Sequence, residues 1–530
     1  MSRIFSVARA SAAVGAASVA SRILGFVRDV LIAQVLGAGA IADAFLVAFR
    51  IPNVVRRVLG EGGLNAGFVP LLGAITAQQG PEAARQYAGR AISNVAFFLV
   101  IITALAQIAA GPLVLLVASG FADEQDKFAL TVLYTQFALP FVAFTSLASL
   151  IAAYLNAQRH FIAAAAAPAL VNGLLIIALL AAGQAEANPE TGLWLAAVVS
   201  LSGLMHLVIV AWAMLRMPDR PPLRLPRFDG AVGHLLRFAL PALVASSMTQ
   251  VILLAATMIA SSEPSAVSWL YYADRVFQLP LSFIGVAAGV VLLPEFVART
   301  RNQDPQIAST LATFLNGAVA LALPAAAGLI ALGSTITSIL FERGAFTIKD
   351  SDATSALLMA LALGLPAAAA SKILIQPFFA RQQLMQPMLA GALGVLATFT
   401  SASLFAHSAG DTVEIVSFVS MLPVQISTLG LATSAGLWTQ ALMLALMTRS
   451  DVQWTWALGA RLIRLSLAAF IMGLVVATFD MLAAPWLAPD QPIALRGIIL
   501  TALCALGTLV YVKIVSMLGE IATIMPWKNG

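Results

Sequence analysis

The chain is poor in charge. Only 10% of its 530 residues are Asp, Glu, Lys or Arg, whereas soluble proteins carry about 25%. It is poor in cysteine as well. Cys504, alone within an apolar run, excludes an intramolecular disulfide and a cysteine-based metal site. His160, His206, His234 and His407 are scattered along the chain, so no histidine metal cluster is expected and no metal site is assigned. There is no G-x-x-x-x-G-K-[ST] stretch and no H-E-x-x-H. ATP hydrolysis within the chain is therefore not expected, and no cofactor is assigned. No loop is long enough to form a soluble domain. The formal net charge is +5, but the basic residues are spread out, which does not indicate nucleic-acid binding.

What the chain has in quantity is apolar sequence. Hydrophobic residues make up 60% of it and the mean hydropathy is +0.94. That is the composition of a polytopic membrane protein. Apolar segments of roughly 20 residues or more recur near 10–36, 41–72, 91–118, 130–156, 161–183, 192–215, 231–260, 267–297, 308–333, 352–379, 386–406, 413–447, 457–482 and 494–518. The fold class read from them is an all-α membrane protein of about 14 spanning helices. A membrane β-barrel would need short alternating segments, and these runs are continuous. The first segment follows basic residues, as a signal peptide would. Its apolar run continues past any plausible cleavage site, so it is read as an uncleaved span.

The loops alternate in charge. Every second one is basic, carrying Arg85 and Arg90, then Arg159, then Arg216, Arg220, Arg224, Arg227 and Arg237, and onward to Arg449, Arg461 and Arg464. The intervening loops are short, and several are acidic. Lys127, Arg343, Lys349 and Arg496 are the exceptions. The positive-inside bias puts the basic set, and with it both termini, in the cytoplasm. An even number of spans follows.

RMPDRPPLRLPRFDG (216–230) reads as a cytoplasmic linker, and the sequences on either side of it repeat. FRIPNVVRRVLGEGGLNAGFVPLL (49–72) matches DRVFQLPLSFIGVAAGVVLLPEFV (274–297), with Pro70 and Pro294 224 residues apart. LPFVAFTSLASLIAAYLNAQRH (139–160) matches LPAAAASKILIQPFFARQQL (365–384), with Gln158 and Gln382 again 224 apart. Chance similarity between Ala/Leu-rich helices is the competing explanation. An offset spanning six helices preserves orientation, which is a parallel repeat with a binding site expected between its halves. The expected organisation is an N-lobe (1–216, helices 1–6), the linker (217–230), a C-lobe (231–450, helices 7–12) and an extra pair (451–530, helices 13 and 14).

SRILGFVRDVL (21–31) places Arg22, Arg28 and Asp29 inside the first span. A charge at a helix centre costs roughly 2.5–3.5 kcal/mol. Arg22, Arg28, Arg56 and Arg275 facing lipid would together cost on the order of 10 kcal/mol, so they must face protein or a watery cavity. Arg22 and Asp29 are seven residues apart and share a helix face, while Arg28 points elsewhere. Asp43, Arg50, Arg57 and Glu61 fall on one stripe, although Pro52 interrupts it. Arg57 with Glu61 and Asp29 with an arginine both admit an ordinary structural role as charge pairs. Asp274 and Arg275 are adjacent and cannot face each other. Lys372 is a lone cation in the tenth span, for which snorkelling is the ordinary explanation. Cations outnumber acids in this interior, which suits an anionic substrate; guanidinium groups match phosphate oxygens well. Gly25, Gly60, Gly62 and Gly63 would let these helices bend.

SRILGFVRD (21–29), ADAFLVAFRIPNVVRRVLGEGGLNAGFVP (42–70), YYADRVFQLP (271–280), FERGAFT (341–347) and FFARQQLMQP (378–387) resemble the signature stretches of the bacterial lipid II flippase family (MurJ/MviN), in the multidrug/oligosaccharidyl-lipid/polysaccharide exporter superfamily. The resemblance implies two six-helix lobes plus two helices forming a groove for the polyprenyl tail. It implies a flippase, not an enzyme, that moves lipid II from the inner to the outer leaflet of the bacterial cytoplasmic membrane for peptidoglycan synthesis. The implied substrate-binding residues are Arg22, Arg28, Asn53, Arg56 and Arg275, with Lys372 as a further cavity cation. Asp29, Asp43, Arg57, Glu61, Asp274 and Gln278 take gating or charge-pairing positions. Some members carry glutamate where this chain has Gln278. The seventh and eleventh spans lack acidic residues, so no sodium site is expected. Lipid II and membrane lipids are the implied partners, with room for cell-wall synthesis proteins.

Three other functions compete. A cation-drug exporter of related fold predicts cavity carboxylates without surplus arginine. A flippase for another polyprenyl-linked glycan is opposed mainly by the motifs. A membrane glycosyltransferase or ligase requires a catalytic carboxylate in a substantial external loop, and the external loops here are short.

Overall fold

A computed structural model describes residues 2–56, 64–158, 160–183, 187–223, 225, 231–287, 307–381, 383–408, 424–449, 452 and 455–520. Among these residues there are helices, one 3₁₀ turn and loops, and no strand. Eight helices are long and apolar enough to cross a membrane, or nine if one bent pair is counted as a span. The all-α membrane class is as expected; the count is of the described residues alone, and several of the 14 expected spans fall partly outside them. The chain divides into two compact units. Unit 1 is Met1–Ser247 with Ser261–Ser268, and unit 2 is Met248–Ala260 with Trp269–Gly530.

Unit 1 contains α1 (Ser2–Leu36), α2 (Ala40–Arg56), α3 (Leu64–Ile108), α4 (Ala110–Val117), α5 (Gln125–Ala138), α6 (Pro140–Ala157), α7 (Phe161–Ala182) and α8 (Pro189–Leu215). The second and third expected spans do not end where hydropathy placed them. Helix continues from Leu64 to Gln79, breaks at Gly80 (φ 86°), and resumes at once to Ile108. The positive φ is accessible to glycine without a Cβ clash, so Gly80 turns the chain where a loop over 73–90 was expected. α1 packs on α7, α2 on α5, and α6 on both α3 and α8. Phe68, Tyr87, Ile151, Tyr154 and Met214 form part of the core that joins α3, α6 and α8. The start of the expected linker is docked here. Arg85 Nη1 lies 2.8 Å from Asp219 Oδ1, and the Tyr154 hydroxyl donates to the Asp219 carbonyl at 3.2 Å. A Cβ on Gly89 would stand 2.1 Å from the Pro222 oxygen, so only glycine admits this crossing.

α9 (Ala231–Ala260) and α10 (Ala266–Ala287) each contribute residues to both units. Unit 2 continues with α11 (Ile307–Phe341), α12 (Ile348–Ala362), α13 (Leu365–Leu374), α14 (Gln376–Ala380), α15 (Met385–Ser408), α16 (Val424–Met447), α17 (Trp456–Leu487) and α18 (Ile493–Met517). α17 and α18 share a core with α11, in which Leu465, Met472, Val476 and Tyr511 surround Ala320 and Leu332. The Tyr511 hydroxyl is satisfied by the Ala320 carbonyl at 2.8 Å. Two of the motif stretches meet in this unit: the Tyr272 ring packs 5.2 Å from Phe341 and 5.3 Å from Phe346.

One span in each unit is broken at a Leu-Pro pair. Proline removes an N–H and crowds the preceding turn, and backbone groups freed within a membrane need partners from neighbouring helices. In unit 1 the break lies at Leu139–Pro140. Gln107 Nε2 donates to the Gln136 carbonyl at 3.1 Å, and Ser200 Oγ to the Phe137 carbonyl at 2.5 Å. In unit 2, α12 and the α13–α14 segment meet at 45°. There Ser434 Oγ donates to the Ala360 carbonyl at 2.7 Å, and Trp438 Nε1 to the Leu363 carbonyl at 2.9 Å.

Candidate functional site

The charged residues of the first span lie on α1, which is continuous through Gly25. Arg22 is exposed, whereas Arg28 and Asp29 are buried at 9% and 3% exposure. Arg28 does not point away from the acid, as helix geometry suggested. Its long side chain curls onto its neighbour, with Nε and Nη2 at 3.0 and 2.7 Å from Asp29 Oδ1. Nη1 donates to Asn172 Oδ1 of α7 at 2.7 Å, and the guanidinium carbon stands 5.0 Å from the Phe49 ring centroid. Asn172 in turn donates from Nδ2 to the Ser21 carbonyl at 3.0 Å. The guanidinium is thus aimed by a carboxylate, an amide and an aromatic face. Asn172 was not visible as a site residue, since a single asparagine in an apolar span carries no motif.

Asp43 is fully buried at the start of α2. Its Oδ2 lies 3.1 Å from Lys127 Nζ of α5 and accepts from the Ser265 backbone N–H at 3.1 Å. Its Oδ1 accepts from the Ser268 N–H at 2.9 Å and the Ser268 hydroxyl at 2.6 Å. Lys127, 4% exposed, also stands 4.2 Å from the Phe121 ring centroid. One of the exceptions to the loop-charge pattern is therefore the buried partner of a motif aspartate. Asn53 is half-buried and donates to the Phe49 carbonyl at 2.8 Å, next to Pro52, which supplies no N–H. Arg56 is also half-buried. Arg57 and Glu61 lie outside the described residues.

In unit 2, α10 carries Asp274 and Arg275, and each engages a residue one turn away. Gln278 Nε2 donates to Asp274 Oδ2 at 2.6 Å. Arg275 Nη2 donates to the Tyr271 hydroxyl at 2.9 Å, and its guanidinium carbon stands 4.5 Å from that ring's centroid. Gln278 supplies an amide donor where a glutamate would add a second acid. Lys372 of α13 is half-buried, and a Cβ on Gly285 would lie 3.5 Å from its Nζ. Gly285 is nearly three turns along α10 from Arg275, so these two cations are not gathered at one point.

Within each unit, then, arginines with weak hydrogen-bonding or paired partners are held in largely apolar helical surroundings. Ionisable groups so placed in apolar helices are the mark of a functional site in a membrane protein. The fold points the same way. The chain is similar to a solved structure described as lipid II flippase MurJ in an inward closed conformation, with TM-score 0.74, 21% identity, and coverage of 95% of this chain and 98% of that one. It is also similar to an inward-facing multidrug resistance MATE family transporter of the MOP superfamily, with TM-score 0.63, 13% identity, and coverage of 83% and 95%. The protein is a multi-pass helical membrane protein with the fold that these two structures share.

Sequence comparison narrows the class. Residues 32–493 match the model of the family described as lipid II flippase MurJ. A probable lipid II flippase MurJ from Rhizobium meliloti (strain 1021) is 34% identical over 97% of this chain and 94% of its own length. One from Rhizobium tropici is 32% identical over 97% and 95%. The lipid II flippase MurJ of Burkholderia cenocepacia is 32% identical over 73% and 76%. The chain belongs to the lipid II flippase MurJ family.

Proposed function

We propose that this chain translocates lipid II across the bacterial cytoplasmic membrane, with both termini cytoplasmic. The observation that carries this reading is the family match over residues 32–493, together with an arginine buried in the first span and pre-aimed by Asp29 and Asn172. Lipid II presents a diphosphate to the protein. Arg28 exchanges its contact with Asp29 for phosphate oxygens, which accept bidentate guanidinium bonds. Arg22, Arg56 and Arg275 add positive charge along the route, and Asn53 adds an amide. Asp29 keeps the guanidinium oriented between substrates. Asp43, held by Lys127, ties α2 to α5, while Gln278 holds Asp274 in place one turn along α10. Access alternates between the two faces of the membrane, and no bond is made or broken.

The alternatives are less well supported. A small-molecule exporter accounts for the fold but not for family membership. A flippase for another polyprenyl-linked glycan shares the charge logic and differs in the headgroup.

The test uses cells depleted of their own lipid II flippase and measures the fraction of lipid II reached by a probe added outside. The parent chain restores exposure, and Arg28→Ala at equal abundance does not. A well-expressed parent that leaves lipid II inside removes the assignment and directs the search to other polyprenyl-linked glycans.

A further inference from the structure

Three basic residues remain as exceptions to the loop-charge pattern once Lys127 is accounted for, and two of them converge. Arg343 lies in the turn after α11, and Arg496 lies in the first turn of α18. Arg496 Nη2 donates to the Ser338 hydroxyl at 2.5 Å. Arg343 Nη2 donates to the Ile339 carbonyl. Both guanidinium groups therefore rest on successive residues at the end of α11. Arg496 is only 6% exposed. The Nε atoms of both arginines are buried and have no acceptor among the described residues. Neither arginine forms an ion pair among those residues, and the adjacent Glu342 supplies none. Burial, followed by the charge of Arg496, lowers the proton affinity of Arg343.

The ordinary role for such a pair is to cap the C-terminus of α11. A helix C-terminus offers about half a negative charge, against two full positive ones. One arginine meets that need, and the second is surplus. The depth of the site identifies what balances it. α18 has 25 residues, about 37 Å at helical rise, so it spans the hydrocarbon core with its first turn at the interface. Trp486, 56% exposed at the end of α17, is the kind of side chain that marks headgroup level. Ile493 and Ile498, 53% and 67% exposed, flank Arg496 with apolar surface.

We propose that Arg343 and Arg496, seated on Ser338 and Ile339, form a binding site for the phosphate of an anionic phospholipid at the membrane interface. Basic pockets between membrane helices recognise lipid headgroups in this way. By the loop-charge orientation this is the outer leaflet. The binding itself does not depend on that orientation or on the transported substrate.

The full-length protein is purified in detergent with an equimolar mixture of phosphatidylglycerol and phosphatidylcholine, and the retained lipids are quantified by native mass spectrometry. The parent retains phosphatidylglycerol preferentially. Arg343→Gln and Arg496→Gln each lower that preference about fivefold, the effect of one basic residue near an anionic surface. Arg343→Lys/Arg496→Lys keeps most of it. Equal retention of the two lipids by the parent overturns the proposal, as does an undiminished preference in Arg343→Gln/Arg496→Gln. Displacement of phosphatidylglycerol by inorganic phosphate, at matched ionic strength in chloride, assigns the site to free phosphate and overturns the lipid. Equal retention by the parent overturns the proposal even where a variant does not fold, and the lysine variant tests the site where the glutamine variants fail to fold. Complementation by the parent, scored separately, reports on lipid II transport alone.

Discussion

The two units solve one structural problem with different chemistry. Each joins the beginning of one helix to the beginning of a later one by a buried polar contact. In unit 1 the contact is ionic: Asp43 of α2 holds Lys127 of α5, with Ser265 and Ser268 completing the carboxylate's hydrogen bonds. In unit 2 it pairs one neutral group with an acid. Trp269 Nε1 of α10 donates at 2.9 Å to Asp350 Oδ1 of α12, while Asp350 Oδ2 closes a capping box with Thr347. A buried ion pair depends on both partners, because losing one leaves a buried charge. A tryptophan donor can be lost without creating a charge. The two contacts therefore tolerate different substitutions.

The difference can be measured. Asp43→Asn and Lys127→Met should each cost about 3 kcal/mol or more in unfolding free energy measured in micelles. The double variant should recover part of that loss, because neither charge is then left unpaired. Full additivity of the two losses would show that the pair is not the anchor.

Trp269→Phe should cost less, about 1.5–3 kcal/mol, the value of one hydrogen bond to a charged group. A loss as large as that of Asp43→Asn would erase the distinction between the units.

The helix breaks supply the next smaller effect. Ser434→Ala and Ser200→Ala each remove a hydroxyl that satisfies a carbonyl beside a Leu-Pro break. Hydrogen bonds between membrane helices average about 0.6 kcal/mol and reach about 1.7. Ser434→Ala should be the costlier, since Ser434 Oγ reaches the Leu361 carbonyl at 3.3 Å as well as that of Ala360. The reverse order in thermal unfolding would mean that the more sharply bent span relies less on its neighbours.

The smallest effect on stability is expected at Asn172. Asn172→Ala leaves the Arg28–Asp29 contact in place and removes one aiming bond. Lipid II exposure in depleted cells should fall, but less than with Arg28→Ala. An unchanged exposure would show that Asp29 alone orients the guanidinium.

The spans broken at Leu-Pro pairs show how far sequence carries such an argument. The Leu-Pro pairs at 139 and 365 are visible in the chain, and proline chemistry foretells a weakened helix at each. Nothing local foretells that Ser200 and Trp438 would satisfy the carbonyls released there. Gly80 is a similar case. A glycine in a polar stretch suggests a loop, but the actual structure is two helices meeting at one residue of positive φ.

The sequence by itself determined the class of the protein, its run of apolar helices, the motif stretches that carry family membership, and the presence of surplus positive charge. These are properties of composition and near-neighbour pattern, and hydropathy and helix periodicity act over a few turns. Only the tertiary structure decided the partners: Asn172 for Arg28, Lys127 for Asp43, and Ser338 beneath Arg496. Each pairing joins residues more than 80 positions apart on different helices. A polar side chain in an apolar span declares that it needs a partner, but helix packing selects which one.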